Sequence, residues 1–195
     1  MSMAGRLYLI DTSALSKAHL AQVRYTLQTL ITDRVAATCI TVDLAAGYSG
    51  RTAADLAAID ARRRDRYLNL EITEDVAERA REVQVQLAEK MQHRSVGILD
   101  LLTAAVAEHH DAALLHYHPA FELIASITGQ PQLWVAPRGS LEAEEDAKAA
   151  LTGSNGSSPD AFTAPAATPA GNPLPANAPA SAARLPRPTE DPISS

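Results

Sequence analysis

The feature that most narrows the fold of this chain is an alternation: short apolar runs of strand length, each followed by a longer stretch with helical spacing. Runs at 6–10 (RLYLI), 35–40 (VAATCI), 68–72, 113–116 and 132–135 are strand candidates. Between them, apolar residues recur three and four apart at 21–32 (Val23, Leu27, Leu30), at 53–67 (Leu56, Ile59) and most clearly at 74–92 (Val76, Ala80, Val83, Leu87). The run 98–107 (ILDLLTAAVA) is apolar almost all round, the pattern of a helix inside the fold, and 119–127 opens with a proline suited to a first helical turn. Strands alternating with helices build a parallel α/β sheet with right-handed crossovers. Ligands of such sheets collect at the carboxyl ends of the strands. Asp11 stands at such an end, and Thr12 and Ser13 are suited to cap the helix that follows. Thr41 or Asp43 opens the helix after the second strand.

The alternation stops near Pro137. Ten of the twelve prolines lie from Pro137 onward, and Phe162 is the only aromatic beyond Trp134. This predicts one domain over 5–137, long enough for its own core, and a tail over 138–195. The acidic stretch 142–151 has the composition of a solvated helix. The Pro/Ala-rich remainder cannot bury enough apolar surface to offset its ordering entropy and is expected to be disordered.

Cys39 is the single cysteine, which excludes an internal disulfide and fits a reducing compartment. The apolar run after Arg6 ends at Asp11, too short for a signal peptide, and nothing approaches the roughly 20 apolar residues of a membrane span. A cytoplasmic protein without a membrane partner is expected. The net charge of −6 argues against a protein that coats nucleic acid through clustered cations, yet suits a nuclease that meets phosphate with metal ions held by carboxylates.

Two acids stand out. Asp100 lies in a run of Ile, Leu, Thr, Ala and Val, where an ionised carboxylate is costly to bury unless something compensates it. It is either a helix cap at a boundary or a cation ligand facing a cleft. Asp11 is open to the same two interpretations. A strand end and the start of a buried helix are able to face one cleft.

Four segments resemble VapC-type PIN domains in order and spacing. YLIDTSAL (8–15) is similar to the family's opening strand, which ends in the first metal-binding aspartate, here Asp11. TVDLAAGYSGRTAADLAAI (41–59) resembles the segment carrying the second acid, and HRSVGILDLLTAAVAEHH (93–110) the one carrying the third, here Asp100. ALLHYHPAFELIASITGQPQLWVAP (113–137) resembles the last strand, helix and closing strand, so the likeness spans almost all of 6–137. It implies a three-layer α/β fold with a central parallel sheet flanked by helices. It also implies a magnesium- or manganese-dependent endoribonuclease, the toxin of a toxin–antitoxin pair, hydrolysing RNA phosphodiesters with metal-activated water. Implied partners are RNA, a cognate antitoxin across the acidic cleft, and a second copy in a homodimer. Ser13 corresponds to a small hydroxyl beside the first acid.

The sequence also departs from the family. Its second acid is commonly a glutamate. Alignment on Gly47 puts Asp43 there, whereas alignment on Tyr48-Ser49-Gly50-Arg51 puts Ala45 there. The family's His-Tyr-Asp-x-Asp-Phe pattern is His116-Tyr117-His118-Pro119-Ala120-Phe121 here, so His118 and Ala120 replace two aspartates. His118 suits manganese or zinc better than magnesium, and His109, His110 and His116 lie near it without a zinc-like spacing. The departures imply attenuated, manganese-favoured activity. The alternatives are a PIN fold that only binds an antitoxin or RNA, and a nuclease acting on DNA. Arg62, Arg63, Arg64 and Arg66 are either phosphate contacts or a solvated helix face. The apolar stripe of 21–32 either packs on the sheet or meets a partner.

Overall fold

The computed structural model describes residues 5–142, in which five parallel strands form one sheet in the order β3–β2–β1–β4–β5. From β1 (Tyr8–Ile10) the chain runs through α1 (Thr12–Leu15) and α2 (Ala21–Thr32) to β2 (Ala36–Cys39). Next, α3 (Ile40–Gly47) and α4 (Ala53–Arg66) lead to the edge strand β3 (Leu68–Leu70). α5 (Glu74–Glu89) and α6 (Ile98–His109) return it to β4 (Ala113–His116), and α7 (Ala120–Thr128) precedes β5 (Gln132–Trp134). β1 pairs with both β2 and β4. Successive strands are added first on one side of β1 and then on the other. The crevice at the carboxyl ends of β1 and β4 is therefore the switch point where such sheets bind ligands.

The period-2 pleat divides each strand between two cores. Leu9, Ala37, Cys39 and Leu114 face a core built with α5, α6 and α7, while Tyr8, Ile10, Ala36 and Leu115 face one built with α2. Because both faces are covered, the strands are nearly continuous apolar runs rather than alternating ones.

Val23, Leu27 and Leu30 of α2 all lie in the second core. The stripe packs on the sheet and does not meet a partner. α6 is not apolar-buried throughout: Ile98 is 73 % and Leu99 52 % exposed, and the helix sinks into the core only from Leu101. α5 stops at Glu89, short of the expected 92, because Met91 turns left-handed (φ 56°) before a short 3-10 turn at His93–Ser95. α3 starts one residue before Thr41, with Cys39 as its cap and Asp43 in its first turn. α4 is closed by a reciprocal Thr52–Asp55 capping box, and none of its residues is buried. No helix among the described residues is long and apolar enough to cross a membrane.

The domain does not end at Pro137. Leu141 is wholly buried in the second core and its N–H donates to Tyr117 Oη (3.1 Å), which donates to the Glu142 carboxylate (2.7 Å). The acidic and Pro/Ala-rich tail expected from the sequence lies, from residue 143 onward, outside the described residues.

Candidate active site

Asp11 leaves β1 in an extended conformation (φ −75°, ψ 157°) and caps α1, its Oδ2 accepting the Ser13 N–H at 2.8 Å. Its own N–H donates to the Leu115 carbonyl (2.9 Å), which ties the acid to the adjacent strand β4. Only 5 % of Asp11 is exposed. Ser13 Oγ accepts the Tyr117 N–H at 2.9 Å, a second tie between the exits of β1 and β4. Ser13 is thus a structural link at the site. The cap at this turn is Asp11 itself, not Thr12 or Ser13.

Asp100 is in the first turn of α6 and accepts the Gly97 N–H (3.3 Å) in a capping arrangement. Of the two alternatives in the sequence, the cap is what the hydrogen bond shows. Burial raises the Asp100 carboxyl above its ordinary range, and the charge of Asp11 raises it further. His118 and the Gly97 N–H act in the opposite direction. The charge of Asp11 thus reaches Asp100, and the two acids oppose each other's ionisation.

His118 stands beside Asp100, with Nδ1 3.5 Å from Asp100 Oδ2 and about half of its side chain exposed. Its backbone N–H donates to Nδ1 of His116 (3.2 Å). Nε2 of His116 pairs with Gln132 Oε1. Since a carbonyl oxygen only accepts, the His116 proton sits on Nε2 and leaves Nδ1 to receive His118. Burial lowers the His116 pKa, which favours this neutral form. The buried histidine thereby fixes the backbone that presents the exposed one.

Asp43 is not brought to the pair. Oδ1 accepts the Thr38 hydroxyl (2.7 Å) and Oδ2 pairs with Arg63 of α4 (3.2 Å). Burial raises its pKa while Thr38 and Arg63 counter the rise. The face of α3 that meets α6 is marked by Thr41, whose hydroxyl is 2.7 Å from that of Thr103. Ala45, one turn after Thr41, shares that face, whereas Asp43 lies two residues round the helix from it. Of the two sequence alignments, the one that puts Ala45 at the second acid position matches this geometry. Ala120 is buried in the first core, so an acid there would not open onto solvent.

Among the described residues no group of three or more His, Cys, Asp or Glu is arranged to hold a metal. A single cation is another matter: magnesium keeps several waters and is commonly held by one or two carboxylates together with substrate phosphate. Asp11 and Asp100, crowded and repelling, fit that donor set.

A cleft of about 780 Å³ opens beside Asp11, between α1, α3 and α4. Sequence reasoning missed the Asp43–Arg63 pair that spans α3 and α4, and the docking of Leu141 on Tyr117. The first had a signal only in two opposite charges at the far ends of α3 and α4, which an antiparallel helix pair brings together; the second had none beyond an isolated leucine in a polar stretch.

The PIN domain family model matches residues 8–127, more than half of the chain. Ribonuclease VapC21 of Mycobacterium tuberculosis is 43 % identical over 132 residues, covering 68 % of this chain and 96 % of that protein. Ribonuclease VapC51 of the same organism is 34 % identical over 142 residues, covering 69 % and 97 %. In structure the chain is similar to VapBC2 from Rickettsia felis, solved with a promoter DNA fragment, with TM-score 0.55, 17 % identity and coverage of 66 % and 98 %. The DNA-bound VapBC from Salmonella typhimurium gives TM-score 0.55 at 14 % identity, covering 67 % of this chain and 99 % of that one.

Proposed function

This chain belongs to the PIN-domain family as a ribonuclease toxin of the VapC type, and on that premise we propose that it hydrolyses RNA phosphodiesters using one divalent cation, magnesium or manganese, held by Asp11 and Asp100. The observation that carries this reading is the placement of two acids at the sheet's switch point: Asp11, buried at the exit of β1, and Asp100 in the first turn of α6, whose carboxyl is raised by the charge of Asp11. Two like charges are crowded where a counter-ion would remove the cost.

When bound there, a divalent cation supplies positive charge to phosphoryl oxygens and makes water more acidic. The chain's own contribution is placement. Asp11 is fixed by the Ser13 N–H and by β4, and Asp100 by the Gly97 N–H, so neither carboxylate swings freely. Burial of Asp11 strengthens its hold on a cation by excluding competing water. His118 stands beside Asp100 and borders the same space.

The partner under this reading is a cognate antitoxin, supported by the toxin–antitoxin complexes among similar folds. Self-association, if the toxin pairs with a second copy, uses a surface other than the buried α2 stripe. The test is cleavage of a mixed RNA substrate by the purified chain with magnesium or manganese, run beside Asp11→Asn. Cleavage by the wild type that the variant lacks supports the reading. No cleavage by either with both metals would leave the fold a binding role only.

A further inference from the structure

We propose that the cleft between α1, α3 and α4 is the track along which single-stranded RNA enters the Asp11–Asp100 site, with Arg62 and Arg66 as phosphate contacts and Tyr48 as a stacking platform for a base. The proposal rests on the ribonuclease reading and adds the residues that hold the substrate strand.

Three observations converge. First, the cleft begins next to the site: Ile10 and Thr12, on either side of Asp11 in the chain, lie in its wall. Second, α4 lines it with Leu56, Ile59, Arg62 and Arg66, three and four residues apart, beside the paired Asp60 and Arg63. Along those four the character changes from apolar to cationic. Third, the arginines of this helix differ in what they already hold. Arg63 is engaged by Asp43 and Asp60, and Arg64 by Asp60. Arg62 donates only its Nε, to the Ala58 carbonyl of its own helix, and neither Arg62 nor Arg66 forms an ion pair among the described residues. A chain of net charge −6 thus exposes in one cleft two guanidinium groups that form no ion pair among the described residues.

Cations that track a backbone, next to an aromatic face, are the usual equipment for single strands. Tyr48 is 78 % exposed in the wall of this cleft. A duplex would present sugar and phosphate while keeping its bases stacked inside, and would leave that ring and the apolar floor without use.

The experiment measures anisotropy of a short labelled oligouridylate with the full chain in EDTA, so that binding is read without cleavage, across a salt series. Arg62→Ala/Arg66→Ala should weaken binding about tenfold or more and flatten the slope of log K against log salt by about 1.4, at roughly 0.7 per phosphate contact. Arg81→Ala, on exposed α5 surface, should leave both unchanged. Tyr48→Ala should weaken binding several-fold without changing the slope, and Tyr48→Phe should restore it. Wild-type affinity and slope in the double arginine variant, an equal effect from Arg81→Ala, or no RNA binding by the wild type overturns the proposal. RNA bound as described but never cleaved with either metal would sink the ribonuclease reading and leave the track standing. Cleavage by a chain whose arginine variants bind normally would do the reverse.

Discussion

The site's chemistry is decided at Asp100 and the two residues that face it. Its raised carboxyl pKa comes from burial first and from Asp11 second, so ionising Asp100 opposes folding. A carboxyl raised in the folded state contributes stability that is present below its unfolded pKa and lost as pH rises through the folded value. Asp11→Asn keeps the cap on α1, because asparagine caps as well as aspartate, and removes the charge that adds to this loss. The variant is therefore expected to melt at the same temperature as the wild type in acid and above it at neutral pH, while RNA cleavage falls about 100-fold or more. Thermal melts across that pH range check the sign; a neutral-pH melting temperature below the wild type's would contradict the account. At His118 the expected gain is in cation affinity. His118→Asp places a third carboxylate beside Asp100 and should tighten manganese or magnesium binding on the order of tenfold, read by calorimetry. Ala120→Asp is no part of such a repair, since it would set a carboxylate in the core and destabilise the fold.

Among the α-helices, α4 is the outlier: it has no buried residue and is tied to α3 through Arg63, which bridges Asp43 and Asp60. Arg63→Ala should lower global stability by only about 1 kcal/mol, because partly exposed ion pairs contribute little. Hydrogen exchange over 53–66 should nevertheless accelerate, since local opening of α4 uncovers little apolar surface. Unchanged exchange there would show that the bridge does not hold the helix. The strands and most helices were legible in the sequence because hydrophobic spacing reports which residues face a core. The same spacing misjudged the first turn of α6, where Ile98 and Leu99 are apolar yet exposed, and overran the end of α5, where Met91 turns left-handed. Spacing alone also did not decide between Asp43 and Ala45. That choice depends on which side of α3 meets α6, a fact carried by the Thr41–Thr103 contact between residues 62 apart in the chain. Asp11 and Asp100 were legible because an acid at a strand end and another in an apolar run are both costly unless used.

For the molecule as a whole, the limit of the folded unit is a testable quantity. Leu141 fills the core beneath Tyr117, and large-to-small changes at such positions cost roughly 2–5 kcal/mol. Truncation after Pro137 is expected to lower the melting temperature by many degrees, and Leu141→Ala to reproduce much of that drop. Truncation after residue 150, which retains Leu141 and Glu142, should leave it nearly unchanged. Equal melting temperatures for the two truncations would show that Leu141 adds nothing to the core. Around that core the chain has a net charge of −6, so the proposed function requires local cations to meet RNA: Arg62 and Arg66 of α4, and a divalent cation held by Asp11 and Asp100. The most direct test of that central claim is calorimetric titration of the full chain with manganese. One cation per chain is predicted, with binding lost in Asp11→Asn and in Asp100→Asn. No binding by the wild type, or binding that survives both substitutions, would contradict it.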